Sequence, residues 1–133
     1  MEDIKIKDFC IKNKIQLMVL FGSSASGKLH LKSDTDIAVK LEQNAEVSKL
    51  ELIYELSELF MGKEIDLVVL TTDTDPVLLY EIFSSGRLLY EKYSGIFDRE
   101  KLKAWKRYID TKKIRILQKR YLKEFLEKVS HVS

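Results

Sequence analysis

The stretch Leu17-Met18-Val19-Leu20-Phe21-Gly22-Ser23, followed at Asp34-Thr35-Asp36-Ile37-Ala38-Val39, decides the reading of this chain. The first half is an unbroken apolar run of strand length that stops at a glycine-serine turn. The second half opens with two aspartates flanking a threonine and passes at once into alternating apolar sequence. Ten residues separate Ser23 from Asp34. That is too short for a helical crossover of ordinary length, so the two strands are expected to be antiparallel neighbours.

Outward from this pair the pattern alternates between helix and strand. Residues 3–13 read as a helix with Ile6, Phe9 and Cys10 on one face, and residues 16–21 as a buried strand. Residues 22–33 form a polar loop, and residues 35–41 a second strand. Residues 46–61 read as a helix presenting Val47, Leu50, Ile53 and Tyr54, with Leu56, Leu59 and Phe60 completing the face and Gly62 as its stop. Residues 64–70 read as a third strand, and Thr74-Asp75-Pro76 as a cap with proline at the first helical position. The helix it opens covers 77–83 and ends near Gly86, before a short fourth strand at 87–91. Residues 97–129 are helical, with a break expected near Thr111 and a packing stripe at Leu102, Trp105, Ile109 and Ile116. The expected fold class is mixed α/β: about four strands in a partly antiparallel sheet, flanked by helices, with a C-terminal helical segment. The expected organisation is a core over residues 1–96 and a basic helical extension of the same domain over 97–133.

The chain has 133 residues, 45% of them hydrophobic, enough for one domain with a real core. No apolar run approaches the roughly 18 residues of a membrane span. The acidic start Met1-Glu2-Asp3 lacks the apolar region of a signal peptide, so a cytoplasmic location and no membrane contact are expected. The single cysteine, Cys10, reads as a buried apolar filler. The net charge of +2 conceals an acidic body and a basic tail: residues 98–133 carry 12 Lys/Arg against 5 Asp/Glu. Such a tail could make weak contact with RNA or another acidic partner, or be a solvated helix face.

The chemistry rests on three acids. Residues two apart on a strand share a face, so Asp34 and Asp36 are expected to aim at one point. Asp66, inside the apolar run Ile65-Asp66-Leu67-Val68, can join them from a neighbouring strand. Converging carboxylates are costly without a cation, and carboxylate oxygens are suitable hard ligands for Mg²⁺. Three of them can hold two metal ions, which would in turn bind a nucleoside triphosphate. Gly22 lets backbone approach phosphate closely, while Ser23 and Ser24 can donate to anionic oxygens and Lys28 can add positive charge.

These residues resemble the DNA polymerase β-like nucleotidyltransferase superfamily, and within it the minimal nucleotidyltransferases. The likeness rests on Phe21-Gly22-Ser23-Ser24-Ala25-Ser26-Gly27, Ser33-Asp34-Thr35-Asp36-Ile37-Ala38-Val39, Glu64-Ile65-Asp66-Leu67-Val68 and Gly86-Arg87-Leu88-Leu89-Tyr90. It implies transfer of a nucleoside monophosphate, typically AMP from ATP, with release of diphosphate. It further implies an antitoxin that adenylylates a tyrosine of a HEPN-domain ribonuclease toxin. Asp34, Asp36 and Asp66 would be the catalytic metal ligands, Asp66 alternatively the base, with Gly22 and Ser23 on the triphosphate. Ser26 departs from relatives that carry arginine there, and serine lacks the bidentate guanidinium grip. Two further readings stay open: a non-catalytic antitoxin that masks its partner's surface, and a nucleotidyltransferase acting on RNA or a small molecule.

Overall fold

The computed structural model describes residues 2–22 and 35–130. Its elements are α1 (Glu2–Lys12), β1 (Ile15–Phe21), β2 (Thr35–Leu41), α2 (Lys49–Leu59), β3 (Ile65–Val69), α3 (Pro76–Ser85), β4 (Arg87–Glu91) and α4 (Ile96–Ser130). The strands form one mixed sheet in the order β3-β2-β1-β4. β1 is antiparallel to both β2 and β4, and β2 is parallel to β3 with α2 as the crossover. The short β1–β2 connection thus joins antiparallel neighbours, as its length requires.

Helices cover both faces. Ile6, Phe9 and Cys10 of α1 and Leu52 and Leu56 of α2 pack with Met18, Ile37, Val39 and Leu67 on one face. Ile82 and Phe83 of α3 and Ile96 and Ala104 of α4 pack with Leu17, Val19, Phe21 and Ala38 on the other. Double coverage explains why the central strand β1 carries the unbroken apolar run Leu17–Phe21. The expected alternation of β2 is one of size: Ile37 and Val39 meet α1 and α2, small Ala38 meets α3 and α4, and all three are fully buried. A register shift between Ile15 and Leu17 turns Ile15 to the α1–α2 face, where simple alternation would not place it.

Cys10 is fully buried, as its reading as a filler required. Burial pushes its thiol up to about 12 from 9.0. Ionisation is then easier in the unfolded chain than in the folded one. The stability this contributes is complete below pH 9.0 and is lost as pH rises from there towards about 12. Iodoacetamide at pH 8 should leave the native thiol unlabelled and add one label after unfolding in urea. Labelling of the native chain at the rate of a free thiol would contradict this burial.

Several helix expectations need correction. α2 begins at Lys49, capped by Ser48 Oγ, which accepts from Glu51 N, three residues later than expected. Its buried residues are Leu52 and Leu56, while Leu50 and Tyr54 are 80% and 67% exposed. Val47, which opens the expected face, packs on the core from the loop before the helix, so the spacing counted from it does not follow the helix. α3 runs from Pro76, with Asp75 Oδ1 accepting from Val77 N as cap, to Ser85. α4 shows no break at Thr111. That hydroxyl donates to the Arg107 carbonyl within the helix, and Arg115 stacks 4.2 Å from the Tyr108 ring centroid while donating to the Tyr108 carbonyl. Leu102, Trp105, Ile109 and Ile116 do not form a packing stripe, each being about half exposed. α4 meets α3 through Ala104, Phe97 and the stacked Tyr80–Tyr108 pair, whose centroids lie 4.2 Å apart.

Gly86 is a close-approach position. A Cβ there would lie 2.0 Å from the Ile82 carbonyl oxygen and 2.6 Å from Val19 Cγ1. Gly86→Ala should therefore cost about 2 kcal/mol, lowering the thermal midpoint by roughly 5–10 °C. An unchanged melting curve would show that α3 and β4 separate freely at this junction.

Candidate active site

β1 ends where Phe21 pairs with Asp36, and Gly22 follows with φ +73°. This left-handed conformation suits glycine, and the space is as demanding as the torsion. A Cβ on Gly22 would stand 2.2 Å from Asp36 Oδ2. The backbone at the turn is thus laid directly against the carboxylate.

Asp66 is the cross-strand partner of Asp36 in the parallel β2–β3 ladder. Ala38 and Val68, two residues further along each strand, both belong to the α3–α4 side of the core. By strand periodicity Asp36 and Asp66 lie on that same face, on strands about 4.8 Å apart. The ladder is pinned at this end by Thr35 N donating to Glu64 O at 2.8 Å. Thr35 is buried, Asp36 half-buried and Asp66 exposed, so the pair forms a graded edge from protein towards solvent.

Gly22, Asp36 and Asp66 are brought together. Asp34, Ser23, Ser24 and Lys28, and with them Ser26, lie outside the described residues. Among the described residues no cluster of three acidic, histidine or cysteine side chains is found. Asp36 and Asp66 are the described members of the expected triad. Their fit to Mg²⁺ is good: two hard oxygen donors on adjacent, in-register strands, with the neighbouring Cβ position vacant because residue 22 is glycine. Arg87 opens β4 opposite Leu20, on the sheet edge away from β3 and Asp66.

A second feature of this face was not singled out in the sequence. A cleft of about 460 Å³ is lined by Lys40, Leu70, Thr71, Leu79, Glu100 and Arg107. Lys40 donates to Glu100 Oε1 at 2.6 Å and ties β2 to α4. The available signal was the phase of Lys40, which shares a strand face with Asp36 and Ala38.

The described residues thus bring two in-register acids beside a glycine turn on a mixed sheet. The polymerase beta, nucleotidyltransferase family model matches residues 4–94, and the chain belongs to that family. Among solved structures, a chain of a toxin-antitoxin complex with AMP-PNP aligns at 24% identity and TM-score 0.71, covering 95% of this chain and 99% of that one. A chain in the complex of tri-AMPylated Shewanella oneidensis HEPN toxin with MNT antitoxin aligns at 22% identity and TM-score 0.64, covering 94% and 96%. A chain of the MntA-HepT toxin-antitoxin complex gives 22% identity and TM-score 0.64, covering 94% and 97%. At these identities the likeness is one of fold. A search of curated proteins gave no match. Among the described residues no helix is long and apolar enough to cross a membrane.

Proposed function

We propose that this chain is a magnesium-dependent protein adenylyltransferase that moves AMP from ATP to a tyrosine of a HEPN toxin and so acts as its antitoxin. The observation that carries the reading is the register of Asp36 with Asp66 beside Gly22. The shared fold with chains solved in toxin-antitoxin complexes, one with AMP-PNP and one with an AMPylated HEPN toxin, supports the partner and the donor. In this reading residues 1–96 are the catalytic core and 97–133 its basic extension. A reaction that draws on ATP and a ribonuclease partner belongs in the cytoplasm.

The tyrosine oxygen attacks the α-phosphorus of ATP, the bond to the bridging oxygen breaks, and diphosphate leaves. Phenol has a pKa near 10, so its proton must be taken up as the bond forms. Asp66, which is exposed, would receive that proton or share a metal ion in this reading. Asp36, half-buried against Gly22, would be one metal ligand in this reading, with Asp34 as the second. Magnesium ions bound there would neutralise charge on the phosphates and lower the pKa of the attacking hydroxyl. Gly22 would bring main chain to the triphosphate, and the Ser23 and Ser24 hydroxyls and the Lys28 charge would donate to its oxygens, as the sequence leads one to expect.

The test is incubation of the purified chain with labelled ATP, Mg²⁺ and the HEPN protein encoded beside it. Label should appear on a tyrosine of the HEPN protein and should vanish with EDTA. Neutralisation of the toxin with no AMP transferred would replace this reading with surface masking.

A further inference from the structure

Among the described residues, nothing packs on the distal half of α4. Every residue from Ile116 to Ser130 is exposed, a projection of about 22 Å at 1.5 Å per residue. Yet this segment is strongly amphipathic. Leu117, Tyr121, Leu122, Phe125, Leu126 and Val129 fall on one side of the helix at i, i+4 and i+5 spacing, each more than half exposed. Lys119, Arg120 and Lys123 lie on the other side. An isolated helix of this length is marginal in water, and such a stripe of large apolar side chains marks an interaction surface.

The occupant can be argued from charge. Residues 112–130 carry seven Lys/Arg against two Glu. A second copy of this helix would bring the same excess of positive charge against it. Gln118 sits inside the apolar stripe, where lipid would leave its amide without partners but a protein groove can hydrogen-bond it. The solved chains of this fold align over 94–95% of the present chain, so much of this helix belongs to the architecture of chains determined together with toxins.

We propose that the distal half of α4 docks into an apolar groove edged with acidic side chains on the HEPN toxin, holding the acceptor tyrosine's protein against the sheet that carries Asp36 and Asp66. This inference rests on the partner named under the proposed function. The helix supplies affinity, and the strand carboxylates supply chemistry.

The experiment uses the full chain and the HEPN protein encoded beside it, with binding followed by calorimetry and by association kinetics. Tyr121→Ser/Phe125→Ser should weaken the complex about 100-fold or more, as loss of aromatic anchors does. Lys119→Glu/Arg120→Glu/Lys123→Glu should slow association about tenfold and flatten its salt dependence. Both variants should melt like the wild type and bind ATP equally well, because the altered side chains are exposed. Wild-type affinity in both variants overturns the docking surface and leaves the transfer reading standing. Dimerisation of the free chain, or its binding to vesicles containing phosphatidylserine, overturns the proposal if either is abolished by Tyr121→Ser/Phe125→Ser. Absence of any wild-type complex overturns the docking surface and the HEPN partner together, whereas loss of transfer with docking intact, as expected for Asp36→Asn, separates the two.

Discussion

Asp36→Asn is expected to reduce AMP transfer by about 10³-fold or more, without unfolding the chain. Asparagine keeps the shape of the side chain but removes the charge that a divalent ion requires. The loss corresponds to about 4 kcal/mol of transition-state stabilisation, the scale at which metal and oxyanion contacts act. β2 should survive, because its burial resides in Ile37, Ala38 and Val39, all fully enclosed. Transfer of labelled AMP, read beside circular dichroism of the same sample, makes the comparison. A folded Asp36→Asn protein that transfers AMP at the wild-type rate would remove the metal site from the mechanism.

Gly22→Ala should be nearly as damaging, for a different reason. The added Cβ would meet Asp36 Oδ2 at 2.2 Å, and the carboxylate, as the end of a side chain, is what gives way. The backbone torsion of +73° adds about 1–2 kcal/mol of strain for any residue with a Cβ. Displacing a catalytic group by about 1 Å can cost 10²-fold, so transfer should fall by about that factor or more. That strain should lower the melting midpoint by roughly 3–10 °C, so transfer is compared well below both midpoints, where both proteins are folded. Gly86→Ala gives the contrasting case, in which a similar clash falls between α3 and the core and lowers stability first. Wild-type activity in Gly22→Ala would mean that Asp36 need not stay where the turn holds it.

Much of the architecture was legible because local signals and packing agreed. The apolar run at 17–21 is buried on both faces, and the boundaries of β2 coincide with Thr35–Leu41. Capping side chains also spoke clearly: Asp75 before Pro76 begins α3 as its sequence promised. The errors share one cause. An apolar stripe tells that a helix has a face, not that something is available to cover it. Leu50 and Tyr54 looked like core by spacing but are exposed, whereas Leu56, on the same expected face, is buried together with Leu52, which the spacing did not single out. Leu102, Trp105 and Ile109 looked like packing residues on α4, but Ala104, a small side chain, makes the close approach.

Residue order alone was enough to point to the nucleotidyltransferase family, because the spacing of Gly22-Ser23, Asp34, Asp36 and Asp66 between apolar strand runs is itself a sequence pattern, and the family model matches residues 4–94. Which acids actually meet was a matter of three-dimensional pairing. Asp36 and Asp66 stand 30 positions apart, and the β2–β3 register, set through the α2 crossover, makes them neighbours. The fate of α4 was likewise settled by assembly, since among the described residues α1 and α2 cover one sheet face and α3 with the start of α4 covers the other. Local periodicity encodes which side chains could be buried, and only the finite area of that sheet determines which of them are.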